Sequence, residues 1–311
     1  MSWSARGVGI ANIAMDGTVL DTWFPAPELL LDDDTTSSTT RVSAHELSPQ
    51  FLRLIGADRD RLVELVPVRT VIADLDSPPI DAHDVFLRLH LLSHRMVEPL
   101  TINMDGALEL LQPVVWTNKG PCLADNFETV RTNLRARGLI HVYGIDRLPR
   151  MVDYVVPSGV TIAEAERVRL GAYLAEGTSV MREGYVSYNA GSLGPARIEG
   201  RLSSFAVVGG GTDLSLSSAL MASRVSEFER APMRVGQDCR LHPSAGVIGV
   251  DLGDRCEIGV NVMLEPETMV FDVETGTQVP ARTIAGRADL RIEREPFSTS
   301  PVVRRSTLGV D

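Results

Sequence analysis

The chain has 311 residues and a formal charge of −11, from 41 acidic and 30 basic side chains. This length predicts about two domains, and 44% hydrophobic with 23% charged residues excludes wholesale disorder. The acidic balance argues against nucleic acid, which requires clustered Lys and Arg, but leaves room for a small anion held by two or three local cations.

Aromatics make up only 5%, so a core of branched aliphatics in a regular, repetitive β architecture is expected. Gly7–Ala14 is apolar and strand-like, Asp16-Gly17 is a turn signal, and Thr18–Trp23 follows as a second strand. The polar run Asp32–Thr40 predicts an exposed loop. The β-branched residues Val68–Ile72 place a strand within Leu62–Leu75. Val85, Leu89 and Leu92 recur at helical spacing, predicting a helix over Asp84–Met96 with Asp81 or Asp84 near its start. Phe127, Val130 and Leu134 predict another over Asp125–Arg137, stopped by Gly138, and Leu139–Tyr143 reads as a strand.

From about residue 160 the period changes. Ile162, Val168, Leu174, Val180 and Val186 lie six apart; Val235, Leu241 and Val247 repeat the interval, as do Leu252, Ile258, Leu264 and Val270. Six matches neither the helical period nor strand alternation. It matches a parallel β-helix of hexapeptides, each flat face turning one aliphatic inward; short antiparallel strands that happen to be spaced by six are the alternative. The register breaks between Val186 and Leu202 and between Leu220 and Met233, where loops are expected. The predicted organisation is an α/β domain over 1–155, a β-helix over 156–272 and a C-terminal segment over 273–311.

Cys122, Cys239 and Cys256 have no metal or redox spacing and read as buried reduced thiols. His90 and His94 stand four apart without a third ligand, so packing is expected of them. Gly209-Gly210-Gly211 lacks the Lys-Ser/Thr of a phosphate loop. No basic-then-apolar leader and no stretch of roughly 18 apolar residues is visible, so a cytoplasmic protein with no membrane partner is expected.

Several strings then become specific. Val114-Val115-Trp116-Thr117-Asn118, the run from Tyr143 to Pro157, Tyr188-Asn189-Ala190-Gly191, Glu199-Gly200-Arg201, Trp23–Leu29 and Leu87–Val97 resemble tetrahydrodipicolinate N-succinyltransferases of the actinobacterial type, collinearly from residue 7 to about 205. The resemblance implies a homotrimer whose coil is left-handed, with active sites between neighbouring subunits. It implies transfer of succinyl from succinyl-CoA to the amine of L-2-amino-6-oxopimelate, formed from the cyclic imine. Glu199 matches the catalytic glutamate. Asn189, Gly191 and Gly200 fall on the acceptor side; Arg201, Ser218, His242 and Arg294 fall on the acyl-donor side. Glu166 and Glu183 match positions that can hold a magnesium ion near the trimer axis, or else are ordinary surface acids.

Beyond residue 205 the resemblance thins. The family's glycine-rich run is here Ser215–Glu229, nearly without glycine, so Leu216, Arg224 and Glu227 are expected to reshape a loop. Pro243 removes a backbone donor. Pro280 stands where the family has a lysine, and Glu293 and Glu295 add acids near the expected phosphates. These departures predict a paralogue, one that uses succinyl-CoA or another acyl-CoA. The alternative is a trimeric homologue with an impaired CoA site, acting on a related amino acid without acyl transfer or as a non-catalytic partner. His242 is the histidine to watch as a new acid or base.

Overall fold

The computed structural model describes residues 3–31, 36–296, 298–306 and 308. They form two compact units, Met1–Leu91 with Thr101–Pro149, and Leu92–Leu100 with Arg150–Asp311. No helix among the described residues is long and apolar enough to cross a membrane.

In the first unit β1 (Trp3–Ala14) pairs antiparallel with β2 (Val19–Trp23), β3 (Glu28–Leu31) and, past β4 (Ser38–Arg41) and β5 (Gly56–Asp58) in sequence, with β6 (Val63–Ile72). The polar run is therefore not all loop: Ser38–Arg41 pairs with β6, because alternate Ser and Thr side chains suit an edge strand. Asp32–Thr35 lies outside the described residues.

Helix α1 (Ala82–Ser93) starts earlier than its apolar spacing predicts, with the Asp81 carboxylate accepting from the Asp84 N–H at 2.8 Å. It also ends earlier, since Arg95 takes the left-handed conformation. Arg88, fully buried, bridges Asp84 (2.7 Å) and the Leu75 and Asn103 carbonyls, while burial pushes the Asp84 carboxyl up. His90 is a core residue, its Nδ1 2.7 Å from the Phe86 carbonyl and its Nε2 accepting from the Phe24 N–H.

A second small sheet is built from β7 (Val114–Thr117), β8 (Gly120–Leu123) and, after α2 (Phe127–Leu134), β9 (Val142–Asp146). Strand β9 lies C-terminal to the expected Leu139–Tyr143, and Leu139 is 81% exposed. Phe127, Val130 and Leu134 of α2 pack on Val115 and Cys122 as one core. Gly138, at φ 98°, stops the helical segment as expected.

The second unit is a three-sided parallel coil. Its first face stacks the inward residues Ile162, Val180, Ile198, Leu214, Leu241, Ile258 and Ile292. The second stacks Val168, Val186, Leu202, Leu220, Val247 and Leu264. The third stacks Leu174, Ser192, Val208, Val235 and Leu252. All are buried except Ile162, which is partly covered, and each buried aliphatic contributes roughly 1.5–3 kcal/mol.

The break expected between Val186 and Leu202 lies at the far end of that interval, after Ile198, so the hexad register does not break at Val186 itself. It runs on through Ser192 and Ile198, and Ser192 hid it by being polar; its hydroxyl is satisfied inside the prism by Thr178 at 2.7 Å. Between Ile162 and Leu264 the true irregularities are three. Ile198 to Leu202 is two residues short, Leu220 to Val235 extrudes nine extra residues within 221–234, and Val247 to Leu252 is one short.

Ser93, Arg95 and Leu100 bond to Ala172, Ser158 and Asn189, so 92–100 belongs to the coil unit. Leu290–Glu293 adds a rung to the first face, so the C-terminal segment is not a separate appendage. Cys239 and Cys256 are buried free thiols on neighbouring rungs.

Rung spacing also explains Gly191. A Cβ there would meet the Tyr173 carbonyl oxygen at 1.8 Å, and its φ is 150°. Gly191→Ala is expected to lower the unfolding free energy by about 2–4 kcal/mol. Gly276→Ala, where nothing lies within 4 Å, should cost only about 1 kcal/mol. Denaturant unfolding of both variants checks this.

Candidate active site

Each passage from the first face to the second turns a corner. Between the strands this corner has four residues at Met181–Gly184, Ser215–Ser218, His242–Ala245 and Gly259–Val262, but only two at Glu199-Gly200. The short corner makes a notch between two fuller turns, with Glu199 in it, its side chain 27% exposed. Gly200 is required there, since a Cβ would meet the Ser218 carbonyl oxygen at 2.4 Å. The Glu199 and Gly200 N–H groups both donate to the Leu214 carbonyl (2.8 and 3.2 Å), so neither is free for a substrate oxyanion.

Glu199 Oε2 accepts from Arg197 Nη2 at 2.6 Å, and Arg197 Nη1 lies 3.3 Å from Asp213. The carboxylate in turn holds the guanidinium proton more firmly. Arg201 pairs with no carboxylate among the described residues; its guanidinium lies 4.2 Å over the Tyr185 ring, its partner one rung back.

The remaining expected donor residues follow the same edge of the prism. Ser218 is one rung on, but its hydroxyl is buried and donates to the Ser215 carbonyl at 2.7 Å, so it shapes the turn. His242 is two rungs from Glu199, about 10 Å at ordinary strand spacing. Its Nε2 lies 2.7 Å from Glu257 Oε1. Arg294 is four rungs away and shares with His242 a groove of about 230 Å³.

Asn189 sits at a left-handed corner, 1% exposed; its Oδ1 accepts from the Leu100 N–H at 2.9 Å while its amide nitrogen has no partner among the described residues. Gly191 is explained by packing, as above.

Three expectations about the diverged half change. Leu216 is at position two of a tight turn, Ser215–Ser218, with Ser217 taking the left-handed conformation; Arg224 and Glu227 belong to the separate extruded loop. Pro243 fills the same position in the next turn, His242–Ala245, with Ser244 left-handed. Proline is favoured at that position, and the turn bond, from the Ala245 N–H to the His242 carbonyl, needs no N–H there. Glu293 is paired with Arg291 at 2.9 Å and Glu295 with Arg304, so these acids are largely offset.

Glu166 and Glu183 each face a guanidinium, Arg150 at 3.2 Å and Arg167 at 3.4 Å. No group of three or more potential metal ligands occurs among the described residues. Two paired carboxylates are by themselves fewer oxygens than magnesium takes; the expected ion would draw on symmetry-related copies of Glu166 and Glu183, and no chemistry is routed through it. His94 joins no metal cluster either; burial pushes its imidazole down.

The family model described as the middle domain of tetrahydrodipicolinate N-succinyltransferase matches residues 111–150. A 2,3,4,5-tetrahydropyridine-2,6-dicarboxylate N-succinyltransferase of Salinispora tropica is 45% identical over 212 residues, 68% of this chain and 66% of the relative. The protein of that name from Vibrio cholerae is 32% identical over 96% of this chain and 94% of its own length. The chain belongs to the tetrahydrodipicolinate N-succinyltransferase family. A Campylobacter jejuni structure described as a 2,3,4,5-tetrahydropyridine-2-carboxylate N-succinyltransferase superposes with a TM-score of 0.82 at 21% identity, covering 99% of this chain and 93% of that one, and shows the shared fold. Members of the family are transferase enzymes.

Because arginines already face Glu293 and Glu295, Glu293→Gln and Glu295→Gln should change affinity for coenzyme A by less than about threefold, as expected for exposed, screened pairs. Calorimetric titration measures it.

Proposed function

We propose that the chain transfers succinyl from succinyl-CoA to the amine of L-2-amino-6-oxopimelate or the related cyclic imino acid, with Glu199 as general base. In this reading the coil is left-handed, the enzyme is a cytoplasmic homotrimer, and its route is lysine and diaminopimelate synthesis. Family membership supports the acyl-CoA donor.

The observation that carries the residue assignment is the notch at Glu199-Gly200. Glu199, in a corner two residues shorter than those on either side, lies on the same edge of the prism as His242 and Arg294, which line one groove farther along that edge. A long thioester donor lies naturally along such an edge, its acyl end at the notch.

The thioester is already activated, so the chain must hold the amine in line and remove its proton. Glu199 takes the proton as nitrogen attacks the thioester carbon, the tetrahedral oxyanion forms, and its collapse expels the thiolate of coenzyme A. The oxyanion donor cannot be the Glu199 or Gly200 N–H. The Leu216 and Ser217 N–H groups, one rung on, have no partner among the described residues and are assigned this task. The pairing of Glu293 and Glu295 weakens the charge argument for a homologue that has lost its donor, leaving the absent lysine at Pro280 as its remaining part.

Glu199→Gln should lower kcat by about 10²–10⁴-fold, with the KM for succinyl-CoA within about threefold, read as thiol release. A variant retaining more than a tenth of the rate would overturn the assignment.

A further inference from the structure

We infer that Arg197 is the positioning residue of Glu199, anchoring one carboxylate oxygen so that the other is presented to the incoming amine. The inference rests on the reading of Glu199 as base. Arg197 and Glu199 flank the inward Ile198, so both project from the same outer side of the coil.

Their contact is short and charge-assisted, 2.6 Å from Arg197 Nη2 to Glu199 Oε2. Oε1 has no partner among the described residues, so it is the oxygen left to receive the proton. The guanidinium is itself held from the far side, with Nη1 3.3 Å from Asp213, its register partner on the next rung. One planar cation thus spans carboxylates on two rungs.

Asp213 is placed in turn by the outer side of the first face. Arg197, Asp213, Arg240, Glu257 and Arg291 stand in register on successive rungs, alternating in sign. Such a ladder lets Asp213 lie between two arginines and keeps Arg197 aimed along the face toward its corner.

The contribution is orientation rather than stability. Arg197 and Asp213 are about half and one-third exposed, and exposed ion pairs add little to folding. A free glutamate side chain at a corner has three rotatable bonds. Anchoring Oε2 removes most of that freedom before the substrate arrives, which is how a positioned base gains over a floppy one.

The test compares Arg197→Met, Arg197→Lys, Asp213→Asn and the Arg197→Met/Asp213→Asn double variant with the wild type and with Glu199→Gln, using thiol release from succinyl-CoA and thermal unfolding. Arg197→Met should lower kcat about tenfold or more, with the KM for succinyl-CoA within about twofold. Its melting temperature should stay within about 2 °C of wild type. Arg197→Lys should recover about threefold over Arg197→Met, since a cation that cannot fork restores only part of the anchor.

Asp213→Asn should lose about threefold, and the double variant should be no slower than Arg197→Met alone, because both act through one carboxylate. Arg197→Met at the wild-type kcat, a loss confined to the donor KM or matched by a fall in melting temperature, or additive losses in the double variant would overturn the inference. Glu199→Gln separates the two readings: if it stays active, the base assignment fails whatever Arg197 does, whereas if it is dead and Arg197→Met is not, only the positioning role fails.

Discussion

The spacing between hydrogen-bonded rungs governs the coil. Each rung offers one inward position per face, and the stack above and below leaves room for an aliphatic side chain and little else. Isoleucine, leucine and valine therefore recur at every sixth residue, and close approach makes glycine necessary at Gly184, Gly191 and Gly200, where a Cβ would fall within 2.2–2.4 Å or less of a neighbouring rung's atoms. The low aromatic content follows from the same constraint. No inward position of the three faces carries a ring; in the coil unit the buried Tyr188 and Phe205 pack edge to face at corners between strands, and in the first unit Phe24 closes against Gly7 and Gly9.

Departures from the six-residue register mark the corner to which the chemistry is assigned. A full corner carries its side chains outward over its neighbours, whereas the two-residue corner at Glu199-Gly200 recesses a carboxylate between them. The polypeptide makes this notch by omission, and its floor is already hydrogen-bonded to Leu214. The carboxylate is thus the part of that corner still available to a ligand, and Arg197 occupies one of its oxygens.

Charge on the outer surface is arranged rather than simply abundant. The net −11 suggests a surface hostile to a polyanionic donor, yet the acids nearest the expected donor edge have guanidinium partners of their own, as do Glu166 and Glu183. What the surface offers a polyanion is therefore a local matter, as with Arg294 at the groove with His242, which joins no ion pair among the described residues.

Much was legible in the residues themselves. The hexad spacing announced a parallel coil because an inward side chain is needed at fixed intervals, and helical spacing announced α1 and α2 because one face of each is buried. The strings around Trp116, Asn189 and Glu199 carried the family. What spacing could not show was anything that depends on a neighbouring rung. Ser192 disguised an unbroken register because its hydroxyl is satisfied across the prism by Thr178. Pro243 and Leu216 read as losses from a glycine-rich binding loop, and spacing alone did not show that both take the second position of a tight turn. Glu293 and Glu295 read as added repulsion until Arg291 and Arg304 were found beside them. The sequence by itself determined the architecture and family, because both rest on periodic or contiguous residues. Only the tertiary structure decided which charges are neutralised and where Glu199 sits, because both depend on side chains brought together from different rungs.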